Sequence, residues 1–422
     1  MTIKPSQLKQ TQQNQDKNAI NHYDVVIIGG AMVGSVLALG LEQLTKRHNK
    51  TLDIAIIEAF APSSDHPGFD ARAIALAHGS IQALTQLDIW QHISELGTAI
   101  KHIHISDRGH FGMTELDANS FNIASMGEVI ELNPVGYKLF KELQKSSIDI
   151  ICPAKLDKIE ANDEFHHVKL DSGQVLTTKL IVAADGAQSS VRMQFNLPQE
   201  EIDFKQTALI ANISLQKSHK NRAWERFTNS GPLALLPMSP SNGQQRLSMV
   251  WALDPDNAEL MKQATKPVFL NSLQQAFGFR AGQFIDVGER YSYPLKLTYM
   301  PRPIHHRCLF VGNAAQTLHP IAGQGFNLGL RDIMGVLDVI EHALIENLPM
   351  GNVAMTHAYL KAREKDRMNT INRVEFLVRG FSNDLWPLTL GRNLGLRLLS
   401  WLPPLKAPIA SKAMGFTTDT IL

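Results

Sequence analysis

At 422 residues the chain is longer than one ordinary core organises, and a prior of about 150 residues per unit predicts two or three folding units. Lys and Arg number 41 against 40 Asp and Glu, a formal net charge of +1, so no global field favours nucleic acid or an acidic partner. The two cysteines, Cys152 and Cys308, lie far apart with no CxxC, which indicates neither a disulfide framework nor a zinc cluster and fits a reducing cytoplasm.

Residues 1–22 are rich in Gln, Asn and Lys and lack the apolar core of a signal peptide, which reads as a disordered tail. No apolar run reaches the roughly 20 residues of a membrane span, so a cytoplasmic protein is expected. Val25-Val-Ile-Ile28 is a β-branched run of the kind found in a strand buried on both faces, and Gly29 and Gly30 follow at once. From Met32 to Thr45 the spacing of Val33, Val36, Leu37, Leu41 and Leu44 predicts a helix, and Leu52 to Glu58 reads as a second strand. Glu58 stands 24 residues after Gly34, where a carboxylate can accept hydrogen bonds from an adenosine ribose. The helix start meanwhile offers free N–H groups and a positive dipole end to a pyrophosphate. Strand, glycine turn, helix and acid together make a dinucleotide fingerprint. Ala31 departs from it, standing where the second glycine of G-x-G-x-x-G belongs.

Leu180-Ile-Val-Ala-Ala184 predicts another buried strand, and Asp185-Gly-Ala-Gln-Ser189 with Arg192 follows it. Taken alone, Asp185 reads as a cap on the next helix. Farther on, Arg307 to Val311 predicts a strand, Gly312-Asn313 its turn, and Asn327 to Ile340 an amphipathic helix after a loop holding Pro320, Gly323 and Gly325. Gly351 reads as part of a surface turn. Of the 16 histidines, His102 and His104 would share a strand face, but no HExxH or third ligand accompanies them, and no metal is expected.

The order of these three stretches resembles the single-component flavin-dependent aromatic hydroxylases, the para-hydroxybenzoate hydroxylase superfamily. That resemblance implies an α/β fold with a Rossmann-like FAD-binding domain, an antiparallel-sheet substrate domain and a C-terminal helical region. It implies that Asp185 and Gly186 support the flavin and the incoming nicotinamide, that Gly312 and Asn313 contact the ribityl chain, and that Pro320 lies against the isoalloxazine. Amides around Gly323, Gly325 and Asn327 would face its N1 and C2 edge, where N–H groups at a helix start stabilise the negative charge gained on reduction. Asn313 replaces the Asp of most members. The stretches His66-Pro-Gly-Phe-Asp-Ala-Arg-Ala-Ile-Ala-Leu76, Ser106-Asp-Arg-Gly-His110 and Glu225-Arg-Phe-Thr…Gly231-Pro-Leu-Ala-Leu-Leu-Pro-Met238 are similar to hydroxylases acting on 2-polyprenyl-6-methoxyphenol in ubiquinone biosynthesis. By that analogy Arg72 contacts the flavin diphosphate or the nicotinamide.

Strand-like alternation at His102-Ile-His-Ile-Ser106 and Arg246-Leu-Ser-Met-Val-Trp-Ala252, with a helix between, predicts discontinuous domains. The expected division is a tail at 1–22, an FAD domain from 23–99, 132–203 and 294–375, a substrate domain from 100–131 and 204–293, and a helical region at 376–422. In the last of these, Trp386 to Pro404 surrounds Arg392 and Arg397 with leucines and tryptophans. A helix on a lipid surface would look like this, as would one packed on its own domain or a neighbouring subunit. The resemblance implies that NADPH or NADH reduces FAD, that O2 adds to the reduced flavin, and that a C4a-hydroperoxide hydroxylates a polyprenylated phenol. Partners in a ubiquinone-biosynthesis complex and a peripheral contact with the inner membrane belong to the same expectation. A hydroxylase of another phenol and a non-catalytic flavoprotein subunit are the alternatives. No catalytic base is specified by the sequence. Arg226 is a candidate, on a sheet expected to face the flavin.

Overall fold

The computed structural model describes residues 21–61, 72–320 and 323–381. The expected tail up to residue 20, the segment 62–71 and the Trp386 to Pro404 stretch lie outside the described residues. The chain begins with β1 (Asn21–Ile28), α1 (Met32–His48) and β2 (Ile54–Ile57). A first excursion holds β3 (Ala73–Ala77), α2 (His78–Gln86), α3 (Trp90–Ile93), β4 (Thr98–Ile100), β5 (His102–Asp107), β6 (Met113–Asp117) and β7 (Gly127–Glu131). The chain returns with α4 (Leu132–Leu143), β8 (Asp149–Ile151), β9 (Leu156–Ala161), β10 (His166–Leu170), β11 (Val175–Ala183) and α5 (Ser190–Gln194). A second excursion holds β12 (Glu200–Leu215), β13 (Arg222–Thr228), β14 (Gly231–Ser241), β15 (Gln244–Leu253), α6 (Pro255–Gln263), α7 (Lys266–Phe277) and β16 (Phe284–Tyr299). The final return is β17 (Ile304–His305), β18 (Cys308–Phe310), β19 (Gln316–Thr317), α8 (Gln324–Ile345) and α9 (Val353–Phe381).

The first sheet runs β17-β18-β11-β1-β2-β8, extended by the β9–β10 hairpin beside β11. Its centre, β18-β11-β1-β2-β8, is parallel. Strand side chains alternate between faces, and both faces are covered. Val25, Ile27, Ile54, Ile56, Leu180 and Val182 pack beneath α1, α4 and α8, while Val26, Ile28, Ala55, Ile57, Ile181 and Ala183 pack with Ile159, Val168 and Phe310 on the other side. Burial on both faces is why these strands read as unbroken apolar runs.

The second sheet runs β19-β16-β12-β15-β14-β13-β5-β6. It is antiparallel except between β13 and β5, which pair in parallel. Helices α6 and α7 cover its outer face through Leu233, Leu235, Met249, Trp224, Phe269 and Phe277. Its inner face meets β3, β7 and β4, a separate three-stranded sheet, through Ile103, Ala223, Leu236 and Met238. The same face meets α8, α9 and the loop before α8 through Phe227 and Leu297 packed with Leu318, Leu328 and Val374. β7, placed by sequence in the substrate domain, thus joins β3, while β12 begins at Glu200 and α9 runs unbroken across residue 375. Register pairing decides these borders, and composition does not mark them.

Candidate flavin and substrate site

Parallel register brings the distant motifs together. Ile28 is level with Ile57 and with Ala183, and Ala183 with Phe310. The residues that follow, Gly29-Gly30, Glu58, Ala184-Asp185 and Val311-Gly312, therefore emerge side by side at the carboxyl edge of the sheet. β1 divides strands reached by crossovers in opposite directions, the place where open α/β sheets bind ligands. Backbone bonds tie the exits together: Gly29 N to Ile57 O (2.9 Å), Ala184 N to Ile28 O (2.8 Å) and Val311 N to Ala183 O (3.0 Å).

Gly29 has φ +102°, and a Cβ there would lie 2.5 Å from Ala184 O, so the turn needs a residue without one. At Gly34 a Cβ would lie 1.8 Å from Gly29 O, and this glycine lets α1 pack onto its own strand turn. Glu58 is buried, its Oε2 accepting from Gly30 N at 2.5 Å and its Oε1 from Phe60 N at 2.9 Å. Ala31 is the N-cap of α1, extended at φ −67° and ψ −167°, with no side-chain cap. The first N–H groups of α1 are thus not capped by the Ala31 side chain.

Asp185 fills the capping role read for it. Its Oδ2 accepts from Ser190 Oγ (2.8 Å) and Val191 N (3.2 Å), holding the start of α5, whereas Oδ1 is buried with no hydrogen-bond partner among the described residues. Gly186 has open space where a side chain would stand. Arg192 is buried and donates to Ala187 O (2.7 Å) and Ala314 O (3.2 Å), clamping this turn to the one after β18.

In that later turn Gly312 N donates to Asp332 Oδ2 (3.2 Å), and Asn313 is exposed. α8 begins at Gln324, earlier than the sequence suggests, with Gly323 as a left-handed N-cap that lacks a side-chain cap. Gly323 N donates to half-buried Pro320 O (3.1 Å), and Gly325 faces open space. Asn327 differs from expectation. Its buried amide accepts from Ala77 N (2.8 Å) and Ser80 Oγ (2.7 Å) and donates to Ala75 O (2.9 Å) and Gly323 O (2.6 Å). With its capacity filled, it positions β3 against the start of α8. The guanidinium of Arg72 lies 5.5 Å from the Tyr293 ring centroid, at the seam between the sheets. Gly351 is buried, and a Cβ there would lie 2.2 Å from Lys179 O, so it is no neutral surface turn.

Sequence reasoning passed over the support behind Gly312. Asp332, fully buried, also accepts from Gln316 Nε2 (2.6 Å) and pairs with Arg363 Nε (3.0 Å). Asp366 receives Arg331 and Arg363. Burial disfavours the Arg363 charge, but Asp332 and Asp366 outweigh it and hold the guanidinium protonated. The available signal was an acid inside the apolar face of α8 and two arginines four apart in α9, Arg363 and Arg367, the latter buried and donating to Gln316 Oε1 (2.6 Å).

Arg226 is turned away from the inner face of the second sheet. It stands opposite Leu233, a residue of the cluster under α6 and α7, and shares that face with Trp224 and His104. Burial, then the charges of Arg280 and Arg108, lower its pKa. Residues alternate along β13, so the inner face belongs to Ala223, Glu225 and Phe227. Near them, burial pushes the His319 imidazole down to about 4, which keeps it neutral, with its ring edge-on to Phe204 at 5.5 Å.

Two uncapped long helices, an orphaned buried carboxylate oxygen at Asp185 and the open space at Gly325 fit a dinucleotide lying along one sheet edge. Residues 22–348 match the FAD binding domain family, and the chain belongs to it. Fold, site and family together make it a flavoprotein monooxygenase of the para-hydroxybenzoate hydroxylase type. It is similar to ubiquinone hydroxylase UbiL of Rhodospirillum rubrum, 30% identical over 399 residues that span 93% of this chain and 89% of that protein. The 3-demethoxyubiquinol 3-hydroxylase of Escherichia coli is 25% identical, covering 93% and 98%. The crystal structure of p-nitrophenol 4-monooxygenase PnpA from Pseudomonas putida shares the fold with a TM-score of 0.75 over 94% of this chain and 99% of that one, at 16% identity.

Proposed function

We propose that the protein hydroxylates the aromatic ring of a polyprenylated methoxyphenol, of the 2-polyprenyl-6-methoxyphenol type, in ubiquinone biosynthesis, consuming NADPH or NADH and O2. The observation that carries this reading is the near full-length similarity to two ubiquinone-pathway hydroxylases. It is supported by a second sheet whose inner face is mostly apolar and closes over the flavin edge, as a prenylated ring requires.

The chain's own groups divide the work. The start of α1 would hold the pyrophosphate and Glu58 the ribose. Gly312, fixed by Asp332, and Asn313 would meet the ribityl chain, and Asp185 Oδ1 would take a donor from flavin or nicotinamide. The uncapped start of α8 would stabilise negative charge on the ring edge. When bound, FAD supplies the chemistry that these side chains lack, accepting hydride and activating O2. No helix among the described residues is long and apolar enough to cross a membrane.

The test is a panel of prenylphenols with the flavin-loaded protein. Substrate-stimulated NAD(P)H oxidation and a ring-hydroxylated product, located by NMR, are expected. Bound FAD without any phenol-stimulated oxidation would favour a non-catalytic subunit, and turnover only of unprenylated phenols would favour another substrate.

A further inference from the structure

The inner face of β13 carries one group that the flavin machinery does not use. Glu225 lies between Ala223, which packs in the cluster holding Ala73 and Ala75 of β3, and Phe227, which packs with Leu318 and Leu328. Those two clusters bracket the start of α8, because a Cβ on Gly323 would touch the Ala75 side chain at 3.3 Å. Glu225 is thus on the sheet face turned to the flavin edge, between the elements that border it. Its Oε1 is buried and has no hydrogen-bond partner among the described residues. Two more orphaned, buried hydroxyls stand on this face: Thr114 Oγ1, in the same cross-strand row through Ile105, and Ser248 Oγ, opposite Leu236. Buried polar atoms are normally bonded, and three left open on one apolar face point to a small ligand with hydroxyl or methoxy groups.

We infer that Glu225 is the catalytic base for the phenol, accepting the ring O–H hydrogen bond and taking its proton as the ring is hydroxylated. This rests on the phenol-hydroxylase reading above. In the reaction the phenol O–H bond breaks, its proton goes to Glu225, and its electron pair enters the ring, whose carbon forms the new C–O bond. The ring C–H proton then passes to water, its electron pair restores the aromatic phenoxide, and the acid form of Glu225 reprotonates that oxygen. NAD(P)H supplies two electrons through the flavin, one oxygen atom of O2 enters the product and the other leaves as water. Burial pushes the Glu225 carboxyl up to about 7, close to the working pH at which a general base is most effective. Other ionisable groups on the elements around this space are Asp107 on β5, Arg246 on β15 held by Glu131 (2.8 Å), Tyr291 and Tyr293 on β16, Arg72 before β3, and the neutral His319.

The experiment compares wild type, Glu225→Gln, Glu225→Asp and Arg226→Lys, all loaded with FAD, on 2-geranyl-6-methoxyphenol across pH. The wild type should lose kcat/KM below an apparent pKa near 7. Glu225→Gln should lower it by about 10²-fold and abolish that acidic limb, Glu225→Asp should restore part of both, and Arg226→Lys, on the outer face, should keep the limb. A second readout needs no turnover. Calorimetric binding of 2-geranyl-4-nitrophenol at about pH 8, in buffers of different ionisation enthalpy, should show uptake of about one proton by wild type and none by Glu225→Gln. An unchanged acidic limb or unchanged proton uptake in Glu225→Gln, with wild type active, overturns the assignment alone. Failure of wild type to bind or oxidise either phenol overturns the hydroxylase reading as well.

Discussion

The two large sheets of this molecule teach different things about reading chemistry from sequence. In the parallel sheet each candidate residue follows a strand end, so its position is set by where an apolar run stops, and register aligns Gly29, Glu58, Asp185 and Gly312 in one row. In the second sheet the functional face is set by the phase of a two-residue alternation. Arg226 and Glu225 are adjacent in sequence, yet one stands on the face under α6 and α7 and the other on the inner face, between residues packed against β3 and the start of α8. An error of a single residue reverses the assignment.

The largest expected effect strikes the parallel sheet from behind. Asp332→Ala would remove the fully buried carboxylate of Arg363 and leave that buried guanidinium to Asp366, which it shares with Arg331. Removing one member of such a pair costs about 3–5 kcal/mol. Denaturant unfolding of the apoprotein should show it, and a loss below about 1 kcal/mol would mean that Asp366 alone satisfies Arg363.

Next in size is a pH effect confined to the second sheet. The Glu225 carboxyl has its folded pKa raised by burial, so its stabilising contribution is complete only at low pH, where both states are protonated. That contribution is lost as pH rises through the folded value near 7, because the unfolded chain ionises first. Glu225→Gln should therefore be more stable than wild type at about pH 8, by at most about 3 kcal/mol relative to their difference at about pH 4.5, less whatever water at this half-buried site relieves. A pH-independent difference in melting would place the carboxyl in water and remove the contrast between the sheets.

Glu58→Ala returns to the strand ends. It removes the acceptor of Gly30 N and, on the present reading, of the ribose. FAD should dissociate more readily by about 1–3 kcal/mol, read by fluorescence titration. Unchanged affinity would leave Glu58 a structural tie alone. The smallest effect belongs to Ala31→Gly. This residue is extended and caps nothing with its side chain, so FAD affinity should stay equal or tighten slightly, and a clear loss would show that its methyl packs productively.

Much of the candidate cofactor edge was legible as local structure because it depends on local chemistry. Gly29 needs positive φ, Gly34 needs absent bulk, and Glu58 ends a strand at a fixed spacing, each a demand that one or two residues meet by themselves. Asn327 was legible as important, but the work of its side chain was not: it follows the glycine loop in sequence, while its amide is consumed by Ala75, Ala77 and Ser80, some 250 residues away in the chain. The Asp332–Arg363 support was illegible for the same reason, since a buried charge can be told from a surface one only by its partner. What the sequence determined by itself was the presence, order and spacing of a dinucleotide site, through strand ends and turns whose conformation is locally imposed. Which face of β13 turns to β3 and α8, which polar atoms are left without partners there among the described residues and which charges are paired beneath the turn were decided by tertiary packing alone, because hydrogen-bond satisfaction and burial are properties of neighbours brought together only in the folded chain.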